Sequence, residues 1–148
     1  MRLKILALAL VALLALTAVA IGKTNKLKGK VRSDKNSSVS LKVVTNKNGV
    51  PKKVRSFTIK KVDYVCDKGR TGEVSAKLGN MRIGNFPLAG YLATKRKTVK
   101  GVQYSVSASI SDNGRKVVRG TVYLGFTNGA DEDDSCVQKK ADFTAKVR

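Results

Sequence analysis

The stretch VQYSVSASI, residues 102–110, alternates apolar and polar side chains at every position. A period of two is that of a β-strand with one face in a core and the other in water. The same alternation recurs in SVSLKV, residues 38–43, and in ADFTAKV, residues 141–147. Because no helical period follows the N-terminal apolar run, the sequence predicts an all-β protein.

Turn sequences separate the alternating segments. NKNG at 46–49, DKG at 67–69 and DNG at 112–114 are typical of tight connections between antiparallel strands. Strands of this kind, with no helix to cover a parallel sheet, favour an antiparallel β-sandwich or a flattened barrel of about eight strands. The loosely patterned residues 79–87 are expected to form a loop that crosses between sheets. The predicted strands are 25–32, 38–45, 54–66, 73–78, 89–94, 102–110, 116–126 and 141–147.

The third predicted strand changes phase in its middle. Phe57 and Ile59 are odd-numbered, whereas Val62 and Cys66 are even. An extra residue in one strand of a pair shifts the alternation by one, so we expect a β-bulge or a bend at residues 60–61. The shift would turn Cys66 toward the core.

The composition excludes most familiar catalytic sites. The chain has 148 residues, with 30 Lys plus Arg against 10 Asp plus Glu, no His, two Cys and a formal net charge of +20. Without His there is no Ser-His-Asp triad, no Cys-His pair and no His-ligated metal, and two cysteines alone do not complete a structural zinc site. The length and the 42% hydrophobic content fit one domain.

The N-terminus has the parts of a secretory signal peptide. Arg2 and Lys4 precede an apolar run, residues 5–20, which ends in the small-residue site Ala18-Val19-Ala20. We therefore predict that residues 1–20 are cleaved, and that residues 21–148 form one domain that is secreted, extracellular or associated with the cell wall. The alternative is an uncleaved anchor, for which the run is short, because a membrane-spanning helix needs about 20 apolar residues.

The two cysteines are Cys66 and Cys136. An even count in an exported chain implies a disulfide, and the CxxC spacing of redox-active thiols is missing. The sequence therefore predicts one structural Cys66–Cys136 bridge.

Several short segments occur in a characteristic order: LKGKV (27–31), VSLKVV (39–44), KKVRSFTIKKVDYVCDKG (52–69), YSVSASI (104–110), RKVVRGTVYL (115–124), then Cys136 and FTAKVR (143–148). In this order they resemble small secreted actinobacterial-type β-sandwich domains of unassigned function, which are rich in Lys and Gly and have one disulfide. Ala108, Arg119 and the acidic stretch 131–134 depart from that pattern. The resemblance implies the fold, export and the Cys66–Cys136 bridge, and it implies no activity.

Four consecutive acidic residues stand out in this basic chain: Asp131, Glu132, Asp133 and Asp134. Crowded carboxylates suit Ca²⁺, which prefers oxygen ligands, and Asp131, Asp133 and Asp134 are the candidate ligands. The spacing does not fit an EF-hand loop, because Cys136 stands where that loop needs glycine. We therefore expect a solvated loop that pairs with neighbouring lysines and holds no metal.

Basic residues alternate along the predicted strands, first between residues 23 and 32 and then in the third strand, where the candidate polyanion-binding residues are Lys52, Lys53, Arg55, Lys60 and Lys61. Such stripes would bind cell-wall polymer, extracellular DNA or an anionic lipid surface by diffuse electrostatics. Specific nucleic-acid readout is not expected, because no RNP-type aromatic pair, phosphate loop or recognition helix is present. The alternative is that the lysines only keep strands soluble and unpaired with their neighbours. The basic residues of 95–100 are expected in a loop.

A hydrolase is the alternative from another functional class. Asp63 and Glu73 lie on neighbouring predicted segments and would act on a glycan as a carboxylate pair, with Tyr64, Tyr91 or Tyr104 as stacking platforms. Such pairs arise by chance in a chain with 10 acidic residues, and Asp63 alternates with core-facing neighbours. The sequence therefore predicts a non-enzymatic binding or structural module without a cofactor, and a small secreted hydrolase of wall or extracellular polymer is the second hypothesis.

Overall fold

The computed structural model describes residues 22–32, 36–86, 90–128, 131–138 and 141–148, and the predicted signal peptide lies outside them. These residues form ten β-strands and no helix. The described chain thus offers no helix of sufficient length and apolarity to cross a membrane. The strands are β1 (Thr24–Val31), β2 (Ser38–Thr45), β3 (Pro51–Cys66), β4 (Thr71–Lys77), β5 (Met81–Phe86), β6 (Gly90–Val99), β7 (Val102–Ile110), β8 (Lys116–Asn128), β9 (Asp131–Gln138) and β10 (Asp142–Val147).

All the strand pairs are antiparallel, and the sheet closes on itself. Neighbours follow the order β1-β2-β3-β5-β6-β7-β8-β10, and β10 pairs again with β1, which gives a ring of 8 strands. Outside this ring, β4 pairs with β3, and β9 pairs with both β8 and β3. The predicted all-β, antiparallel fold is confirmed, and β10 is the strand that joins the two ends of the sheet.

The structure corrects three expectations about loops. Within the expected crossing loop 79–87, residues 81–86 instead form β5, which pairs with both β3 and β6, and Pro87 lies outside the described residues. The basic residues 95–97 lie within β6, which continues to Val99. The acidic stretch 131–134 begins β9. In all three places, pairing with neighbouring strands prevails over residues of weak strand propensity.

The phase change in β3 is a β-bulge, as predicted. The pairing of β3 with β4 shifts between Ile59 and Val62, and Lys61 lies in the left-handed region with φ 56°. The Lys61 N–H donates to Ser75 Oγ at 2.9 Å, so the donor that leaves the ladder has a partner. Beyond the bulge, Val62 and Cys66 are buried.

The predicted turns are also present. The Gly114 N–H donates to the Ser111 carbonyl at 2.8 Å between β7 and β8, and the Gly69 N–H donates to the Cys66 carbonyl at 2.9 Å between β3 and β4. Both glycines have positive φ, 65° and 80°, which glycine adopts without steric cost. The buried Asn25 donates its Nδ2 to the Gly114 carbonyl at 3.2 Å and so ties the β7–β8 turn to β1.

The core is filled by the inward faces of the ring strands. Phe57 of β3 and Phe143 of β10 are fully buried, with ring centroids 5.7 Å apart. Gly120 of β8 is directly opposite Phe143, and a Cβ on Gly120 would lie 2.3 Å from the Phe143 ring. The closing strand is therefore held to β8 by an aromatic ring that fits only over a glycine.

β8 carries a further irregularity where it pairs with β10. The register shifts between Phe143 and Ala145 of β10, and Val118 and Arg119 of β8 are both exposed. Alternation with Val122 would put Val118 in the core, but Val118 is 54% exposed and Val117 is buried instead. The extra residue of this bulge turns Val118 outward and Val117 inward, which is the reverse of the orientation that the alternation predicts.

Gly120→Ala should lower the free energy of unfolding by about 1–3 kcal/mol, because the added methyl group must displace the Phe143 ring in a close-packed core. Gly125→Ala in the same strand is the matched control, since the nearest atom to its Cβ would lie at 3.8 Å. Urea unfolding of both variants measures the difference. Equal stability of the two variants would contradict the role given to the Phe143 ring.

Candidate functional site

Three lysines stand side by side where β10 closes the ring. Lys146 of β10 is directly opposite Lys28 of β1 on one side and Lys116 of β8 on the other. All three are exposed. Opposite residues of antiparallel strands have Cα atoms about 4.5–5.5 Å apart, so three positive charges are held in one line across the sheet. We call Lys28, Lys146 and Lys116 the lysine row.

The lysine row is electrostatically unfavourable by itself. Like charges directly opposite one another destabilise a strand pair. Within the described part of the chain, no carboxylate forms an ion pair with any of the three ammonium groups. A second opposed pair, Lys26 with Lys42, extends the positive surface across β1 and β2. The fold thus maintains a repulsion that a bound anion would relieve.

The lysine row lies in an open groove of about 980 Å³ that follows β10, with walls from β1 and β8. Thr144 is the outward residue of β10 between Lys146 and Asp142. Asp142 is the acidic residue of the lining, and its Oδ1 accepts a hydrogen bond from Thr121 Oγ1 at 3.2 Å. We call this site the lysine groove, and its basic lining residues are Lys28, Lys30, Arg32, Lys116, Arg119, Lys146 and Arg148.

The basic residues that the sequence singles out on β3 are all exposed, as expected: Lys52, Lys53, Arg55, Lys60 and Lys61. They do not line the lysine groove, because β1 and β2 lie between β3 and β10 in the sheet. Lys60 is opposite the neutral Ser38, and Lys53 has Val44 on one side and Arg82 on the other. These residues are spread along a bent strand and extend the positive surface around the groove.

The Cys66–Cys136 disulfide is present, as predicted, and its two residues are directly opposite each other on β3 and β9. Both residues are buried. The Arg70 guanidinium lies 3.8 Å from each sulfur. The bridge therefore fastens β9, which lies outside the ring, to the far end of β3.

Asp134 is the acidic residue that the fold removes from solvent. Its side chain is 4% exposed, and its Oδ2 lies 3.7 Å from the Arg70 guanidinium. Its Oδ1 accepts a hydrogen bond from the Lys68 N–H at 3.0 Å, which orders the turn after Cys66. The predicted solvated loop is therefore wrong for Asp134, which supports the turn beside the disulfide.

Two of the candidate calcium ligands, Asp133 and Asp134, lie on opposite faces of β9. Asp133 is exposed and Asp134 is buried, because successive residues of a strand point to opposite faces. The side chain of Asp131 lies outside what the structure describes. Ligand atoms of Cys66, Asp134 and Cys136 lie within 4.8 Å of one another, but the two sulfurs are bonded together and offer no thiolate to a metal.

The carboxylate pair of the hydrolase hypothesis is adjacent, as expected, with Asp63 of β3 directly opposite Glu73 of β4. Neither residue lines the lysine groove. Tyr64 packs edge-on against Phe126 with ring centroids 5.0 Å apart, and Tyr104 is buried. Burial raises the pKa of the Tyr104 phenol. These two tyrosines are core or packing residues rather than exposed platforms.

Comparison of the chain with known protein families, with curated proteins and with solved structures finds no match. The side chains of this protein are therefore the remaining guide to its function. Among the described residues, seven basic side chains line the lysine groove, and its open shape admits a ligand.

Sequence reasoning missed both the lysine row and Tyr123. The members of the row come from β1, β8 and β10, and they meet only because β10 closes the ring. Tyr123 is 55% exposed and lies between the buried Val122 and Leu124. Strict alternation puts such a residue on the outer face, so the sequence did contain a signal for Tyr123.

Asp134→Ala should lower the free energy of unfolding by about 1–3 kcal/mol, because the Lys68 N–H loses its acceptor beside the buried disulfide. Asp133→Ala removes the same charge from the exposed face of β9 and is the control. Urea unfolding of the oxidised variants measures the effect. If both variants were as stable as the parent protein, Asp134 would have no structural role.

Proposed function

We propose that this protein is an exported, non-enzymatic β-module that binds anionic polymers at the cell surface or in the surrounding medium through the lysine groove. The lysine row is the observation that carries the proposal. Lys28, Lys146 and Lys116 are exposed and directly opposed, and no carboxylate of the described residues forms an ion pair with them. A chain of phosphates or carboxylates along β10 supplies the balancing charge.

Counterion release supplies the driving force for such binding. A polyanion gathers a layer of small cations, and lysines that neutralise several of its charges release those cations into solution. The net charge is +20 for the full chain and +18 without Arg2 and Lys4 of the predicted signal peptide, and this charge also raises the local concentration of anionic polymers around the protein. Both contributions weaken with salt, because the Debye length falls from about 30 Å at 0.01 M to about 8 Å at 0.15 M.

The shape of the site favours a chain over a flat surface. The lining of the groove includes residues from both ends of β10, from Asp142 to Lys146 and Arg148, so the groove follows the whole strand. A flexible polymer, such as an anionic wall polymer or extracellular DNA, fits along this length. Lysines on β2 and β3 extend the positive surface beyond the groove.

Export is supported by two features. The N-terminal residues have the pattern of a cleaved signal peptide. The single disulfide fits an extracellular protein, because disulfides persist in oxidising surroundings. Membership in the small secreted β-sandwich domains that the sequence resembles is part of the same proposal.

The hydrolase alternative has weaker support. Glu73 is exposed and Asp63 half-buried on the β3–β4 pair. The lysine groove contains the carboxylate of Asp142, which accepts a hydrogen bond from Thr121. A glycan hydrolase of the usual kind needs two carboxylates that flank one bond of the substrate, and this groove does not bring two together.

Charge reversal of the lysine row tests the proposal. The variant Lys28→Glu/Lys116→Glu/Lys146→Glu should bind inorganic polyphosphate at least about tenfold more weakly at low ionic strength. It should also reduce the slope of log K against log salt by about 3, since each phosphate contact contributes about 0.9. Fluorescence anisotropy with labelled polyphosphate measures both quantities, and circular dichroism checks that the variant folds.

The matched control is Lys52→Glu/Lys53→Glu/Lys60→Glu, which changes the net charge equally on exposed positions of β3. The proposal predicts a smaller loss of affinity for this control. Equal losses would show that diffuse charge, rather than the lysine groove, holds the polymer. Failure of the parent protein to bind polyphosphate even at low salt would refute the proposal.

A further inference from the structure

A second cavity opens on the other side of β8. Ser105 of β7 is directly opposite Arg96 of β6 and Tyr123 of β8. Arg96 and Tyr123 are exposed, and the small Ser105 leaves a gap between them. β6 and β8 lie two strand spacings apart, about 10 Å, which is wide enough for one planar ring between the cation and the tyrosine. We call this cavity, of about 600 Å³, the tyrosine slot.

The floor of the tyrosine slot is polar and uncovered. Gln103 of β7 lies between Thr98 of β6 and Gly125 of β8, which has no side chain to cover it. The Gln103 amide offers both donors and an acceptor. The slot therefore combines a flat aromatic face, a guanidinium and a hydrogen-bonding floor within one small cavity.

The tyrosine slot continues into a neighbouring cavity of about 470 Å³. The two share Arg96 and Ser105, and the second also has Arg82 and Lys95 in its lining. None of the described residues that line either cavity is acidic. The chemistry of both cavities therefore suits an anion.

β8 separates the tyrosine slot from the lysine groove. Lys116 and Arg119 line the groove, and Tyr123 further along the same strand lines the slot. From Lys116 to Tyr123 the strand extends about 23 Å, given a rise of about 3.3 Å per residue. One polymer several units long can therefore reach both sites across β8.

We infer that the tyrosine slot takes a base of a single-stranded nucleic acid whose phosphates lie in the lysine groove. The base stacks on Tyr123, Arg96 binds a flanking phosphate, and Gln103 bonds to the edge of the base. Stacking of this kind tolerates any base sequence. The inference rests on the proposed function, because it names one polyanion among those that the lysine groove would bind.

The composition of the slot favours a nucleic acid over an acidic polysaccharide. Sugar hydroxyl groups donate to carboxylates, and the lining offers none. A nucleic acid carries a planar ring and a phosphate in every unit, which match Tyr123 and Arg96. Arginine also interacts with the π-face of a base.

The test compares two polyanions that differ in the presence of rings. A labelled oligothymidylate of about 12 nucleotides carries bases, and inorganic polyphosphate carries phosphate alone. Tyr123→Leu should weaken binding of the oligonucleotide about 5- to 150-fold at low ionic strength, because one base–aromatic stack is lost. Binding of polyphosphate should change by less than about twofold. Tyr123→Phe, which keeps the ring, should restore most of the affinity for the oligonucleotide.

The outcomes separate this inference from the proposed function. If Tyr123→Leu weakens neither ligand, or weakens both equally, the tyrosine slot does not take a base, whereas the lysine groove is unaffected as a site. Heparin, an acidic polysaccharide, serves as a third ligand. If Tyr123→Leu weakens binding of heparin and not of the oligonucleotide, the slot belongs to an acidic polysaccharide and the inference is wrong. If the parent protein binds neither polyphosphate nor the oligonucleotide, both proposals fail. Thermal unfolding confirms that the exposed substitution leaves the fold intact.

Discussion

β10 pairs with both β1 and β8, and this double pairing determines how the ring closes and which side chains meet on its outer face. It joins the two ends of the sheet, so neither β1 nor β8 presents an open edge there to another chain. The pairing is possible because Gly120 leaves room for the Phe143 ring, which also packs against Phe57 on the opposite strand of the core. The same residues therefore close the ring and fill its interior.

The same closure creates the candidate site. Once the register of β10 is fixed by Phe143 over Gly120, Lys146 must stand between Lys28 and Lys116. The packing inside the ring thus forces together the charges outside it. Selection for stability alone would favour a neutral or acidic residue at one of these positions, since opposed like charges weaken a strand pair. The lysine row therefore costs some stability, which the proposed binding of an anionic polymer would offset.

The sequence was informative wherever neighbouring residues decide the structure. Alternation located β2 and β7, the change of phase at residues 60–61 identified the bulge at Lys61, and the even cysteine count predicted the disulfide. The sequence was uninformative where pairing between distant strands determines the structure. β5 and β9 have weak strand propensity and are held by their partners, and Asp134 is buried only because its strand pairs with β3 beside the disulfide. The lysine row could not be predicted from the sequence either, because the register between distant strands depends on the tertiary structure.

The stability of Lys146→Gln in the absence of polyanion shows whether the opposed lysines destabilise the free protein. Lys146 is the middle residue of the row, so its neutralisation removes two opposed repulsions, each worth about 0.2–1 kcal/mol. Lys60→Gln is the control, because Lys60 is opposite the neutral Ser38. At low ionic strength the account predicts that Lys146→Gln raises the free energy of unfolding while it weakens polyphosphate binding, and that Lys60→Gln does neither to the same extent. A Lys146→Gln variant that is no more stable than the parent protein and binds polyphosphate equally well would contradict the account.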